Sequence, residues 1–192
     1  MTTSTLEHKK GLHGSELAMI LFICSESIFF LLLILAYVNF HKATGDTAAK
    51  MLDPIKTGYF SVALLSSSFT YWLAEKAREK GSRGGVSLWL FVTVVLGSIF
   101  MVGQGLEYAG LIHENMTISR DLFGTTFFTL TGFHGFHVFL GILLLVLLLG
   151  LSLWGRKEEP VLSGMKTIAV YWHFVDAVWV IIFSIVYLWR YV

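Results

Sequence analysis

Long apolar runs alternate with short polar stretches along the whole chain. A helix that crosses a bilayer needs about 20 mostly apolar residues. The pattern predicts membrane-spanning helices over about 17–40, 57–77, 86–112, 122–154 and 166–190. The second is the weakest, because its apolar core is short and contains Ser66, Ser67 and Ser68. The connecting stretches are too short for a soluble domain, so residues 1–192 are predicted to form one all-α membrane domain, a bundle of five transmembrane helices.

Composition supports a membrane protein and excludes several other classes. The chain is 55% apolar and 14% charged, with a mean hydropathy of +0.71, whereas soluble domains carry roughly 25% charged residues. A net charge of +1 argues against binding nucleic acid through bulk electrostatics. The single cysteine, Cys24, excludes a disulfide framework, a cysteine-rich zinc site and an iron–sulfur cluster within this chain.

The basic residues predict an orientation. Five spans would place nine basic residues on the side of the N-terminus: Lys9, Lys10, Lys76, Arg78, Lys80, Arg83, Arg156, Lys157 and Lys166. The other side would receive five: Lys42, Lys50, Lys56, Arg120 and Arg190. Cytoplasmic loops carry an excess of Lys and Arg, so the N-terminus is predicted inside and the C-terminus outside. Because the first apolar run exceeds the roughly 7–15 residues of a signal-peptide core, we expect that span to stay in the mature protein.

Ionisable residues inside the predicted spans are the candidate functional residues. Such groups are costly in a bilayer and mark function by default. The candidates are Glu26, Glu107, His134, His137, His173 and Asp176. Glu107 is the weakest of the six, since it lies about one turn from the end of its span and could reach the interface.

Glu26 and the two histidines of the fourth span lie at similar predicted depths. The i,i+3 spacing puts His134 and His137 on one helix face, so a hydrogen bond between Glu26 and one of the two imidazoles is plausible. Imidazole is also a ligand of iron, copper and zinc. A heme-bearing membrane anchor that uses His134, His137 and an opposing His173 is therefore a rival interpretation. The glycines around the pair are equally typical of close helix packing.

His173 and Asp176 repeat the i,i+3 spacing on the fifth span. An Asp–His pair on one face can share a proton, and its plainer interpretation is a polar clamp between helices. Together with Glu26, these residues also allow a third interpretation, an independent proton channel.

Three strings resemble subunit III of the heme–copper terminal oxidases. They are LFICSESIFF at 21–30, a segment from 107 to 141 that contains GTTFF and TGFHGFH, and YWHFVDAVW at 171–179. They occur in the family's order and cover most of the chain. The resemblance is therefore to the cytochrome c oxidase subunit 3 family in a short, five-span form.

The resemblance implies a non-catalytic core subunit of a respiratory oxidase with no active site, heme or copper of its own. The heme and copper would lie in partner subunits, of which subunit I is the main contact. The implied roles are assembly, stability, phospholipid binding in a cleft and support of proton uptake. Glu26 matches the family's carbodiimide-reactive glutamate, and its histidine partner matches the string that contains His134 and His137. The implied location is the bacterial cytoplasmic membrane.

The chain departs from longer family members, which have seven spans. It resembles a form that lacks the first two, and with them one arm of the lipid cleft. The Ser25–Glu26 pair favours a cytochrome c oxidase over a quinol oxidase, since some of the related quinol oxidase subunits have an aspartate at this place. An accessory subunit related to nitric oxide reductase is a further alternative. The electron donor, membership of a supercomplex and the identity of bound lipids are left open by the sequence.

Overall fold

The computed structural model describes residues 14–44, 52–154 and 158–188, with side chains described for 17–40, 52–154 and 164–188. The helices are α1 (Gly14–Thr44), α2 (Pro54–Glu79), α3 (Arg83–His113), α4 (Leu122–Leu153) and α5 (Glu158–Phe183). A π-helical turn, Ser184–Leu188, continues α5. No strand occurs in these ranges, and the all-α prediction is confirmed for them.

Four of the described helices are long and apolar enough to cross a membrane. Their apolar segments are Leu17–Phe40, Arg83–His113, Leu122–Leu153 and Gly164–Leu188, which makes this a multi-pass membrane protein. Helix α2, predicted as the second span, falls below that apolar content. Several residues used to predict the orientation, at 9, 10, 50, 156, 157 and 190, lie outside the described part of the chain, as does most of the N-terminal tail.

The ends of α2 and α3 are set by local chemistry. The Asp53 carboxylate accepts hydrogen bonds from the backbone N–H groups of Ile55 and Lys56, and Pro54 occupies the first turn, where no N–H is needed. Helix α2 stops where Gly81 adopts a left-handed φ of 68°. Asn115, with a φ of 59°, ends α3 in the same way. In both places the next residue's N–H returns to a carbonyl of the last helical turn.

The helices pack as an antiparallel bundle in which α4 contacts α1, α3 and α5. Helix α2 packs along α3 on one side and along α5 on the other. Only 6% of the apolar window of α1 is buried, against 44% of that of α5. Helix α1 is therefore peripheral, and α5 lies at the centre of the buried core. We call the two ends of the bundle the Ser82 end and the Asn115 end, after the turns that join α2 to α3 and α3 to α4.

A polar seam joins α2 to α5 and explains why α2 has a low apolar content. The indole N–H of Trp179 donates to Ser61 Oγ at 2.8 Å, and that of Trp172 donates to Ser67 Oγ at 3.0 Å. Nearer the Ser82 end, the hydroxyl of Tyr71 donates to the carbonyl of Met165 at 2.6 Å. Ser67, one of the serines that weaken the hydropathy of α2, thus faces a buried donor of α5 rather than lipid, as does Ser61.

Candidate functional site

Glu26 and His137 meet where α1 crosses α4, near the middle of both apolar segments. Glu26 Oε2 lies 3.2 Å from His137 Nε2. Phe30 packs its edge against the His137 ring, with centroids 5.0 Å apart. The imidazole is 8% exposed and the carboxyl 20%. The contact is thus shielded on the bundle side and partly open on the outer face of α1.

The second nitrogen of His137 fixes the proton arrangement of this contact. Nδ1 lies 2.8 Å from the carbonyl oxygen of Phe133, and a carbonyl only accepts, so Nδ1 carries a proton. Nε2 is then either the acceptor of a neutral ring or a donor of the cation. In the first case Glu26 is a carboxylic acid, and in the second it is a carboxylate. A hydrogen bond within the Glu26–His137 pair therefore requires one proton between Nε2 and Oε2, carried by the ring or by the carboxyl.

His134 lies on the same helix face but has a different environment. Its ring stacks on Trp179 with centroids 4.8 Å apart, and Phe100 contacts it edge-on. It is fully buried, and neither ring nitrogen has a hydrogen-bond partner among the described residues. Iron would bind a ring nitrogen in the plane of the ring, and the fully enclosed His134 side chain has no exposed surface through which a heme could reach one. The structure brings Glu26 to His137, and it places His134 in the aromatic core.

His173 and Asp176 meet at a residue of α2 that the sequence did not single out as a partner. Ser68 Oγ donates to Asp176 Oδ2 and lies 2.9 Å from His173 Nδ1. Asp176 is buried, whereas His173 is exposed on the outer surface between α2 and α5. The three side chains form one hydrogen-bonded chain that starts inside the bundle and ends at its surface. We call them the Ser68 chain.

Glu107 is half-buried near the Asn115 end, where it lines an open pocket together with Asp53, Lys56 and Glu114. Its two carboxylate oxygens accept hydrogen bonds at 2.9 Å from Thr57 Oγ1 and from the hydroxyl of Tyr187. It therefore links α3 to the start of α2 and to the π-helical turn at the Asn115 end. Tyr187 was missed at the sequence level, because its position in the bundle depends on that irregular turn.

Other buried polar groups also escaped the sequence analysis. Gln104 is buried on α3, and its amide has no partner among the described side chains. The hydroxyl of Tyr171 donates to the carbonyl of His137 at 2.9 Å, which supports the α4 backbone beside the Glu26 contact. Trp172 and Trp179 are two turns apart on α5, and this spacing could have indicated that both face the serines of α2.

Within the described ranges, no group of three or more His, Cys, Asp and Glu side chains converges as a metal site. The histidines proposed as heme ligands also have separate environments: His137 faces Glu26, His134 lies among aromatic rings, and His173 contacts Ser68. The arrangement does not fit the heme-anchor interpretation.

Comparisons with known proteins agree with the sequence resemblance. The family model described as cytochrome c oxidase subunit III matches residues 2–191. A cytochrome c oxidase subunit 3 from Synechocystis is 34% identical over 97% of this chain and 82% of the relative. A subunit 3 from Neurospora crassa is 36% identical over 92% of this chain and 68% of its own length. A probable cytochrome c oxidase subunit 3 from Nocardia farcinica is 38% identical over 66% of this chain and 63% of its own length.

Proposed function

The chain belongs to the cytochrome c oxidase subunit III family, and from that premise we propose that it is a non-catalytic, five-span subunit of a bacterial respiratory oxidase. Its role is to stabilise the complex and to support proton delivery through the Glu26–His137 pair. The heme and copper centres belong to its partner subunits, and subunit I is its main contact. The complex accepts its electrons from cytochrome c. In the alternative, the complex is a quinol oxidase and the electron donor is a quinol.

The observation that carries the proposal is the 3.2 Å contact between Glu26 and His137. A carboxyl that shares a proton with an imidazole can pass that proton between the two groups without placing a net charge in the bilayer. The partial exposure of Glu26 on α1 gives access from the outer face of the bundle. These properties suit a group that holds a proton close to a partner subunit.

Carbodiimide labelling of the isolated complex tests this role. A carbodiimide reacts with a protonated carboxyl in an apolar environment, so Glu26 is the expected site. Glu26→Ala should abolish the labelling and leave electron transfer to oxygen largely intact. Glu107→Gln serves as the matched control, since it removes another partly buried carboxyl of the bundle, and labelling should persist in it. Loss of oxygen reduction in an intact Glu26→Ala complex would show that the non-catalytic assignment is wrong.

The wider assignment is tested by purifying the chain from its native membrane in a gentle detergent. Large partner subunits and a heme spectrum should accompany it, and the type of heme and any bound cytochrome c separate the two oxidase classes. A colourless chain that purifies alone would contradict the proposal. It would instead favour the independent proton channel.

The five-span topology is part of the same proposal. Helix α2 is less apolar than the other helices, but its serines contact α5 and its Thr70 hydroxyl lies 2.8 Å from Thr93 Oγ1 of α3. Its outer face carries the exposed apolar residues Val62, Leu65 and Phe69, which suits a crossing helix. The proposal places the Ser82 end in the cytoplasm and the Asn115 end outside, with residues 1–192 as one membrane domain.

Topology reporters test this arrangement. Alkaline phosphatase inserted at Asn115 should be active, since the enzyme folds only outside the cytoplasm, and the same insertion at Gly81 should be inactive. Activity at both positions would mean that α3 does not cross the membrane, and activity at Gly81 alone would contradict either the crossing of α2 or the orientation. The exposed apolar face of α1 also supports phospholipid contact there, which lipid analysis of the purified complex would reveal.

A further inference from the structure

We propose that the surface between α2 and α5 is the face on which this chain docks against a membrane-spanning helix of another oxidase subunit, and that His173 Nε2 accepts a hydrogen bond from that helix. The inference rests on the proposed function, because it requires the chain to work within a complex. It adds the face, the anchoring atom and the chemistry of the partner group.

The first argument is the direction of hydrogen bonds in the Ser68 chain. Ser68 has one hydroxyl proton, and it donates that proton to Asp176 Oδ2. With Asp176 as a carboxylate, His173 Nδ1 is therefore the donor to Ser68 Oγ, from which it lies 2.9 Å. In a neutral imidazole the other nitrogen, Nε2, is then an acceptor. The ring is held with this acceptor on the exposed side of α5.

The second argument is depth. Asp176 lies at the middle of the apolar segment Gly164–Leu188, and His173 is one turn away. At this depth lipid offers only acyl chains, which neither donate nor accept hydrogen bonds, and an unmet polar group there is costly. No described residue contacts Nε2 through a hydrogen bond. A donor from outside the chain is therefore the favourable way to satisfy it.

The third argument is the shape of the surface beside His173. Towards the Asn115 end, a groove of about 470 Å³ runs between α2 and α5, with Gly58, Val62 and Ser184 among its lining residues. Exposed Ala177 follows His173 by one turn on α5. Helices in membranes pack closely where small residues let their backbones approach. The groove and the small side chains thus suit a second helix that lies along the seam.

The same chemistry disfavours two other occupants. An acyl chain fills a groove but cannot pair with Nε2. A second copy of this chain, arranged symmetrically about the seam, would bring two identical His173 rings together, and each would present the same acceptor. The occupant that fits is a helix of another subunit with an O–H or N–H donor at mid-membrane depth, such as a serine, threonine or tyrosine hydroxyl, a side-chain amide or an indole.

Site-specific photo-crosslinking in the intact complex tests the docking face. Benzoylphenylalanine replaces Ala177 on the proposed face, and, as a control, Phe139, which is exposed on α4. Position 177 should crosslink to another oxidase subunit and position 139 should not. Crosslinks from 177 only to lipid or to a second copy of the chain would overturn the inference, as would equal crosslinking from both positions to the same subunit.

A pair of substitutions at His173 tests the hydrogen bond itself. His173→Leu removes the acceptor, whereas His173→Gln keeps an acceptor oxygen near the same place. With equal amounts of chain in the membrane, His173→Leu should retain roughly threefold to tenfold less of the other subunits through detergent purification than His173→Gln, the range expected for one hydrogen bond in a membrane. Equal retention by the two variants would overturn the role of Nε2.

The experiments distinguish an error in the docking face from an error in the proposed function. If the wild-type chain retains oxidase subunits but position 177 captures none of them, the docking face is wrong and the proposed function stands. If the wild-type chain brings down no oxidase subunit, the proposed function is wrong and the docking inference falls with it.

Discussion

Trp172 inserts its indole between α3 and α4 and still donates its N–H to Ser67 on α2. Two glycines make room for it. A Cβ added at Gly141 would lie 2.6 Å from the six-membered ring of Trp172, and one added at Gly97 would lie 3.0 Å from it. A single side chain of α5 thus fixes the spacing of three neighbouring helices.

Gly141→Ala is therefore expected to destabilise the bundle. The added methyl group would push Trp172 out of its position and strain its bond to Ser67, and overpacking of this kind costs typically about 1–3 kcal/mol. Gly135→Ala makes the same change on the same helix, where no atom lies within 4 Å of the new Cβ. Thermal unfolding in detergent, followed by tryptophan fluorescence, should show a lower midpoint for Gly141→Ala alone. Equal midpoints would show that Trp172 can move at no cost.

The bond between Ser61 and Trp179 provides a second prediction. Ser61→Ala would leave the buried indole N–H of Trp179 without its acceptor, and an unsatisfied buried donor costs about 1–3 kcal/mol. Ser61→Ala should lower the thermal midpoint, and it should have a smaller effect when Trp179 is already Phe. The comparison is a double-mutant cycle, which isolates the pair. Fully additive effects would contradict the assigned bond.

We expect Tyr187 to stabilise the folded bundle through the hydrogen bond from its hydroxyl to the Glu107 carboxylate. Tyr187→Phe removes one of the two side-chain donors to this half-buried group, and hydrogen bonds to charged groups contribute about 1.5–3 kcal/mol. The variant should unfold at a lower temperature than the wild type. Tyr59→Phe is the control, because Tyr59 is 73% exposed and should tolerate loss of its hydroxyl. If both variants behave like the wild type, Glu107 does not depend on Tyr187.

We expect the Asp53 carboxyl at the start of α2 to make the stability of the fold depend on pH. The hydrogen bond from the Lys56 backbone, followed by those from the Lys56 side chain and the Ile55 backbone, lowers the pKa of this carboxyl in the folded chain. Its contribution to stability is therefore present above its unfolded pKa of about 4 and is lost as the pH falls through the lower folded pKa.

Asp53→Asn separates the charge from the cap, because an asparagine side chain also accepts N–H bonds at a helix start. Between pH 6 and pH 3, the thermal midpoint should fall more steeply for the wild type than for Asp53→Asn. The difference between the two curves isolates this site from the other carboxyls. Parallel curves would show that the charge of Asp53 does not contribute.

Much of the fold followed from the sequence because long apolar runs have few alternatives to helices in a membrane. Comparison of depths predicted that Glu26 would meet a histidine of the fourth span, but it could not distinguish His134 from His137. Both lie on one face, and the choice depends on the rotation of α4, which is set by the packing of His134 against Trp179. The rotation of a helix about its axis is a tertiary property.

The partners of polar residues were the least predictable part. Ser68 was noted only as part of a serine cluster that weakened the second span, yet it joins His173 to Asp176. A hydroxyl can satisfy itself on its own helix, as Ser61 does with the carbonyl of Thr57, so its sequence position does not reveal a second partner. The hydroxyl partners of Glu107 could not be predicted for a related reason, because one of them, Tyr187, lies on an irregular turn.

That irregular turn sets which residues at the end of α5 face the bundle. A π-helical turn accommodates about one more residue than an α-helical turn, and Ser184–Leu188 delivers Val186 and Tyr187 to the buried side. If the same residues formed a regular α-helix, the end of the helix would rotate by roughly 100°, and Tyr187 would turn away from Glu107. Removal of one residue within the turn would instead leave an α-helix whose later residues keep nearly their present orientation. The end of α5 is thus a place where the geometry of a single turn decides whether the last residues close the Asn115 end of the bundle.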